Sequence, residues 1–169
     1  MEVDGDDVVL VAIAVIAGQE ITTNYRETLG KLKPTESVRD SISRLETSMA
    51  ELPQADIPVI HHFAHGIYGR EMRAAAGTVI VGKIHKTHHL NILAQGRIAV
   101  VSETGGHVEM QAPAVFVSPP GTKRAIWAIS DCVFINVHGT HETDLEKIEE
   151  EFIAPDFMAL ESEDIECLG

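Results

Sequence analysis

The sequence predicts a mainly β protein, an antiparallel β-barrel set between an N-terminal and a C-terminal helix. Three observations carry that prediction. Between residues 66 and 138, eight short runs rich in β-branched and aromatic residues alternate with turn signals at regular spacing. Ahead of them, Val38, Ile42, Leu45, Met49 and Leu52 recur at steps of four, three, four and three, which is the spacing of one helical face. Behind them, Thr143 and Glu146 form a T-x-x-E capping box before Lys147, Ile148, Phe152 and Ile153.

In chain order, residues 1–56 are read as an apolar segment plus an amphipathic helix, 57–138 as the barrel, and 139–169 as a helix and acidic tail. A chain of 169 residues suffices for one domain with some appended structure. The apolar run Val8 to Ala17 is too short to span a bilayer, and the acidic MEVDGDD before it is the opposite of a secretory leader's basic start. A buried strand or a short helix is expected there; periodicity does not choose between them. Residues 18–34 carry no clear period. The helix that follows is expected from Thr35, its N-cap, to Leu52, with Pro53 as its stop.

The strand candidates are Gly66 to Met72, Thr78 to Ile84, His88 to Ala94, Arg97 to Ser102, His107 to Gln111, Ala114 to Ser118, Arg124 to Ile129 and Cys132 to His138. Turn pairs such as Gln95-Gly96, Gly105-Gly106 and Pro120-Gly121 divide them. Short strands at this spacing fit a closed or double-sheet barrel, which protects its own edges. His61, His62 and His65 fall in a loop-like segment before the first strand, where a surface or subunit-contact role is expected. Trp127, Phe134 and Cys132 lie in apolar strands and are expected in the core. Pro155 is expected to end the last helix, with a mobile acidic tail beyond it.

The charge is unevenly placed. The formal net charge is −13, which argues against nucleic acid as a partner. From His61 to His138, however, seven Lys/Arg face four acids, a net of +3, and eight of the nine His lie in the same window. The acidity belongs to the flanks. The two cysteines, Cys132 and Cys167, show no metal or redox spacing, which fits a reducing cytoplasm, and no segment calls for a membrane.

The stretch Gly77 to Gly96, GTVIVGKIHKTHHLNILAQG, puts imidazoles between two strands. Its spacing resembles the first motif of the cupin superfamily: Gly77, Lys83, His85, His89 and Gly96 fall at the motif's positions. Pro119 and Gly121 match the second motif, with Arg124 at its His position and Ala128 at its Asn. The resemblance covers roughly residues 61 to 138 and implies a cupin-type jelly-roll barrel. The wording HKTHHLNIL, APAVFVSPPGTKRA and VHGTHETDLEKIE is similar to small cupin proteins of bacteriophages, a group for which the resemblance implies no particular activity.

The resemblance also implies a divalent metal (Zn, Fe, Mn or Ni) held by three His and a Glu. Here His85 keeps a His, His89 replaces the Glu, and Lys83 and Arg124 replace the other two His. Neither cation is a ligand at neutral pH. Two imidazoles make a weak site, so a third donor is needed, either His138 or His88. The alternative is an anion pocket. Lys83 and Arg124 stand at positions that point into the barrel in the resembling fold, where a phosphate or carboxylate would offset them. Glu71 and Glu109 are the nearest acids by sequence, and pairing with the acidic flanks or with solvent is the plainer outcome for the two cations. Asn91, two residues past His89 on the same strand face, Tyr68 at the barrel mouth and Arg70 complete the candidate set. Gly-rich phosphate loops, Ser-His-Asp sets and paired catalytic carboxylates are absent.

Three function classes follow. One is a binding protein holding a small anion, which in a phage setting would sequester a host signal or nucleotide. Another is a metal-dependent cupin enzyme of isomerase or dioxygenase type, and the third is a structural or assembly protein. The family usually forms dimers, and the apolar segments Val8 to Ala17 and Leu45 to Leu52 lead to the same expectation here.

Overall fold

The computed structural model describes residues 15–16, 19–20, 37–103 and 105–160. Of the apolar run 8–17, only Val15–Ile16 lies among them, as β1, paired antiparallel with β2 (Gln19–Glu20). The rest of that run and the acidic tail from residue 161 lie outside the described residues.

Two antiparallel sheets form the barrel. The strands are β3 (Val59–Ala64), β4 (Ile67–Ala74), β5 (Val79–Val81), β6 (Ile84–His85), β7 (His89–Gln95), β8 (Arg97–Ser102), β9 (Gly106–Gln111), β10 (Ala114–Ser118), β11 (Arg124–Ala128) and β12 (Cys132–His138). One sheet runs β10-β7-β12-β4-β3 and the other β5-β11-β8-β9. Counting β4, β5 and β7 to β12 as strands one to eight, the sheets read 6-3-8-1 and 2-7-4-5. That is the strand order of a jelly roll, in which each strand's sequence neighbour across a turn mostly lies in the opposite sheet.

Core packing follows from alternation. Side chains two apart on a strand share a face, and β12 alternates buried and half-buried residues along its whole length. Leu93, Phe134 and Met72 from the first sheet meet Ile98, Val100 and Ile126 from the second at one end of the barrel. Cys132 and Phe134 join that core as expected. Trp127 does not: it is half-buried on the outer face of the second sheet. At the β7–β8 turn, Gly96 has φ +87°, and a Cβ there would overlap the Asp131 carbonyl oxygen. Only glycine fits, which explains the closing Gly of the motif.

Several boundaries differ from the sequence reading for local reasons. The segment 59–64, expected as loop, is edge strand β3, turned into β4 at Gly66 (φ +74°). Its histidines break the apolar alternation that marks a strand, and most of it stays exposed. The run Thr78 to Ile84 is not one strand. It breaks at Gly82 and Lys83, leaving β5 in the second sheet while β6 pairs elsewhere.

Helix α1 spans Val38–Ala50, capped by the Ser37 hydroxyl, which accepts from the Asp40 N–H at 3.2 Å. Ser37 takes the role expected of Thr35 because it directly precedes the first helical residue. Ile42 is fully buried, and the ion pairs Arg39–Glu103 (2.7 Å) and Glu46–Lys123 (2.6 Å) fix the helix against the second sheet. Helix α2 spans Leu145–Phe152. Its cap is Asp144, accepting from the N–H groups of Glu146 and Lys147, rather than Thr143. It ends at Phe152, ahead of Pro155, because Ile153–Ala154 form β13 and pair with β6.

Candidate functional site

The interior of the first sheet is stacked in three layers by strand register. Met72, Phe134, Leu93 and Ala114 align across β4, β12, β7 and β10 and form the apolar layer. The next inward row is Arg70, Asn136, Asn91 and Phe116. The third holds Tyr68 opposite His138, and His89 opposite Ser118. Successive layers lie about 7 Å apart, the rise of two strand residues. Polarity therefore climbs from one end of the barrel to the other.

At the polar end lies a cavity of about 240 Å³, at the small end for ligand sites. Its walls include Tyr68, Arg70, His85, His89, Arg124 and His138. Ile148, Glu149 and Phe152 of α2 form the roof, and the Phe152 and His138 rings lie 4.4 Å apart. Tyr68, Ile148 and Phe152 make a small apolar cluster of their own that seats the helix.

His85, His89 and His138 come together. Their candidate ligand nitrogens all lie within 4.8 Å of one another, and their ring centroids are 4.0 to 5.1 Å apart. His138 is thus the donor beside His85 and His89, while His88 is exposed. The backbone of His85 is held by the Gly121 N–H, which donates to its carbonyl at 2.9 Å, and by pairing with Ile153. Burial is the main cause that holds His85 down at about 3, helped by His89, His138, Arg124 and Arg70. His138 is pushed down to about 4 by burial and by His89. Burial also lowers His89, against the Thr87 carbonyl, which lies 3.3 Å from Nδ1.

Three neutral imidazoles are what a divalent ion needs from its ligands. The Nδ1 atoms of His85 and His138 are buried without a hydrogen-bond partner, so lone pairs or protons are left over for a further group. His85, His89 and His138 therefore fit a metal with three protein ligands and an open position.

Arg124 enters from the opposite sheet. It is half-buried, its Nε is buried with no hydrogen-bond partner, and Nη1 donates to Asn91 Oδ1 at 3.5 Å. Its guanidinium carbon lies 5.4 Å from the Phe116 ring centroid. Burial lowers its pKa, and no carboxylate pairs with it among the described residues. Asn91 is fully buried and committed: its amide nitrogen donates to Ser118 Oγ at 2.6 Å, and its oxygen accepts from Asn136 at 2.9 Å as well as from Arg124. Arg70 lines the same cavity without an ion pair among the described residues.

Lys83 takes the plainer of its two expected places, paired with the acidic flank. It sits at the rim, about half exposed, and pairs with Glu149 of α2. Lys83 lies in the break between β5 and β6, outside the strand alternation that turns Ile80 inward. Glu71 and Glu109, the expected neutralising acids, point elsewhere. Glu71 bonds His62 (2.9 Å) and Arg73 (2.7 Å) on the outer face, and those partners hold its carboxyl below the usual range. Glu109 pairs with Arg97 at 3.3 Å. Tyr68 is buried in the cavity wall and shares a 2.7 Å hydrogen bond with His61 Nδ1. Burial raises its pKa, keeping it a phenol.

Sequence reasoning missed Asn136, Ser118, Glu149 and Phe152. For Asn136 a signal existed: His89-x-Asn91 on β7 and Asn136-x-His138 on β12 read as mirror images, as antiparallel neighbours sharing a lined face must. The roof residues carried no such signal, because a helix docks by shape.

No protein-family model matches the chain, and no curated protein does. Among solved structures, it is similar to a cupin superfamily protein from Desulfitobacterium hafniense, with 12% identity over 54% of this chain and 84% of that one, TM-score 0.44. The cupin domain of Schizosaccharomyces pombe Cnp3 is 20% identical over 65% of this chain and 81% of its own, TM-score 0.44. KdgF from Halomonas sp. is 19% identical over 57% and 93%, TM-score 0.45. Independently of these likenesses, the 6-3-8-1 and 2-7-4-5 strand order gives this chain a jelly-roll fold.

Proposed function

We propose that this chain is a small-molecule-binding barrel whose cavity takes a small anion, with Arg124 as the recognising fork and Arg70 beside it. The observation that carries the reading is a half-buried guanidinium facing a cavity, with an unpartnered Nε and no carboxylate pair among the described residues. A buried cation in that state is costly, and a carboxylate or phosphate offsets it with two parallel hydrogen bonds. Lys83 has a lesser part, since Glu149 already engages it. A divalent metal at His85, His89 and His138 belongs to the same reading. In a phage setting the ligand would be a host signal or nucleotide.

Thermal-shift screening of organic acids, sugar phosphates and nucleotides against neutral analogues tests this. Anions should stabilise the protein selectively. Arg124→Ala should lose charge-assisted contacts of about 1.5–3 kcal/mol, roughly a ten- to hundredfold loss in affinity. Arg124→Lys should recover only part, having no fork. Equal stabilisation by neutral compounds, or a wild-type response from Arg124→Ala, would remove the anion reading.

The second reading, a metal-dependent enzyme of isomerase or dioxygenase type, is favoured by the three-histidine cluster next to the Tyr68 phenol. Stoichiometric metal in untagged protein, lost in His85→Ala, supports it. Particle association with an empty cavity would instead support an assembly role. We place the protein in a reducing cytoplasm, in keeping with the free, buried Cys132, and as a homodimer. No described helix is long and apolar enough to cross a membrane. Sedimentation as a monomer at micromolar concentration would remove the dimer.

A further inference from the structure

The cavity wall contains three cationic side chains, Arg70, Lys83 and Arg124, and one carboxylate, Glu149, which is already engaged by Lys83. The histidine cluster brings no negative charge. A divalent ion held there would add two positive charges near two guanidiniums that no protein anion pairs with among the described residues. In a partly buried site such repulsion is weakly screened. An anion in the same cavity reverses its sign.

We propose that a divalent metal and a small oxyanion bind this barrel cooperatively, each raising the affinity for the other, and that Arg124 and Arg70 impose the coupling. This rests on the anion reading above and deepens it by naming the ligand class. The histidine layer and the arginine-asparagine layer are one step of about 7 Å apart along the strands. A ligand addressing both layers carries two acceptor groups a few ångströms apart. A dicarboxylate, or a carboxylate with a second oxygen donor, has that form. The Asn91 oxygen cannot substitute for it, because Asn136 and Arg124 already occupy both of its acceptor positions.

The experiment is a Co(II) titration of the purified protein, followed by its visible absorption and by equilibrium dialysis. It is run without added anion, with malonate or succinate, and with the neutral diamide of succinate. The dicarboxylates should tighten Co(II) at least tenfold and the diamide should not. By reciprocity, Co(II) should tighten the dicarboxylate by the same factor. Arg124→Gln and Arg70→Gln should each bind Co(II) more tightly than wild type when no anion is added, and should show a smaller coupling factor. Merely structural damage would not raise metal affinity. Arg124→Lys keeps the charge, so its anion-free affinity should stay low. If Arg124→Gln fails to fold, Arg70→Gln carries the same expectation. Equal Co(II) affinity with and without a dicarboxylate that does bind would overturn the coupling and leave the anion reading intact. Failure of Co(II) to bind with any of these anions also overturns it, while anion stabilisation of the metal-free protein would still uphold the earlier reading.

Discussion

The two ends of the barrel interior are built by the same strands yet solve opposite problems. At one end, Leu93, Ile98, Ala128 and Phe134 fill the space between the sheets, each almost fully buried. At the other, two and four residues along the same strands, the inward positions hold Asn91, His89, Asn136 and His138 around open volume. Hydrophobic packing at the first end supplies the stability. The second end carries buried imidazoles and a guanidinium, all of which stability alone would replace with apolar groups. The fold is thus a stable half supporting a costly half, and the costly half is where function is to be sought.

The sharpest way to break that division is to remove bulk from the stable half. Leu93→Ala should cost about 2–5 kcal/mol in denaturant unfolding, the range for large-to-small changes in a filled core. A cost below about 1 kcal/mol would mean the apolar end is not the source of stability.

The polar end should show itself through pH. His85 and His138 titrate at about 3 and about 4 in the folded chain, against 6.5 when unpaired and exposed. The unfolded state therefore binds more protons between those values. Stability of metal-free protein should be full above pH 6.5, fall as pH drops through 6 and 5, and level off only near 3. His138→Gln should flatten that fall, measured by thermal melts across pH. A melting temperature level from pH 7 to 4.5 would sink the assignment of these imidazoles as neutral and buried.

Smaller in size, and opposite in sign, is the expectation for Arg124→Met. Removing a half-buried charge that no described carboxylate pairs with should leave ligand-free stability unchanged or raise it by up to about 1 kcal/mol. A loss above about 2 kcal/mol would show that Arg124 is structural. The smallest effect belongs outside the barrel. Arg97→Gln, at an exposed pair with Glu109, should change stability by less than about 0.5 kcal/mol.

Much of this division was legible before any coordinates. The apolar end follows from alternation, so β8, β10 and β12 have the bounds the sequence reading assigns. The turn glycines fixed the frame, and His85 and His89 stood out by spacing. Strand β3 was illegible because His61 and His62 carry no apolar alternation and an edge strand needs little. The position of Lys83 depended on a strand break at Gly82 that a β-branched run conceals. Its partner Glu149 lies 66 residues away, and no local pattern links such residues. Buried hydrogen-bond networks such as Asn91, Asn136 and Ser118 are also non-local, and appear only once register is known.

Helix α2 and the strand after it cover the cavity from outside the barrel sequence, reaching back through Phe152 to His138 and through Ile153 to His85. The walls are thus written in residues 61–138 and the ceiling in residues 145–153. These are two separate stretches of the gene, so they can drift independently. Substitutions in the first alter which chemical groups a guest must carry, whereas exchanges at Leu145 or Ile148 alter how large a guest is admitted. A lineage could change guests by rewriting one short helix, leaving the eight-stranded vessel as it was.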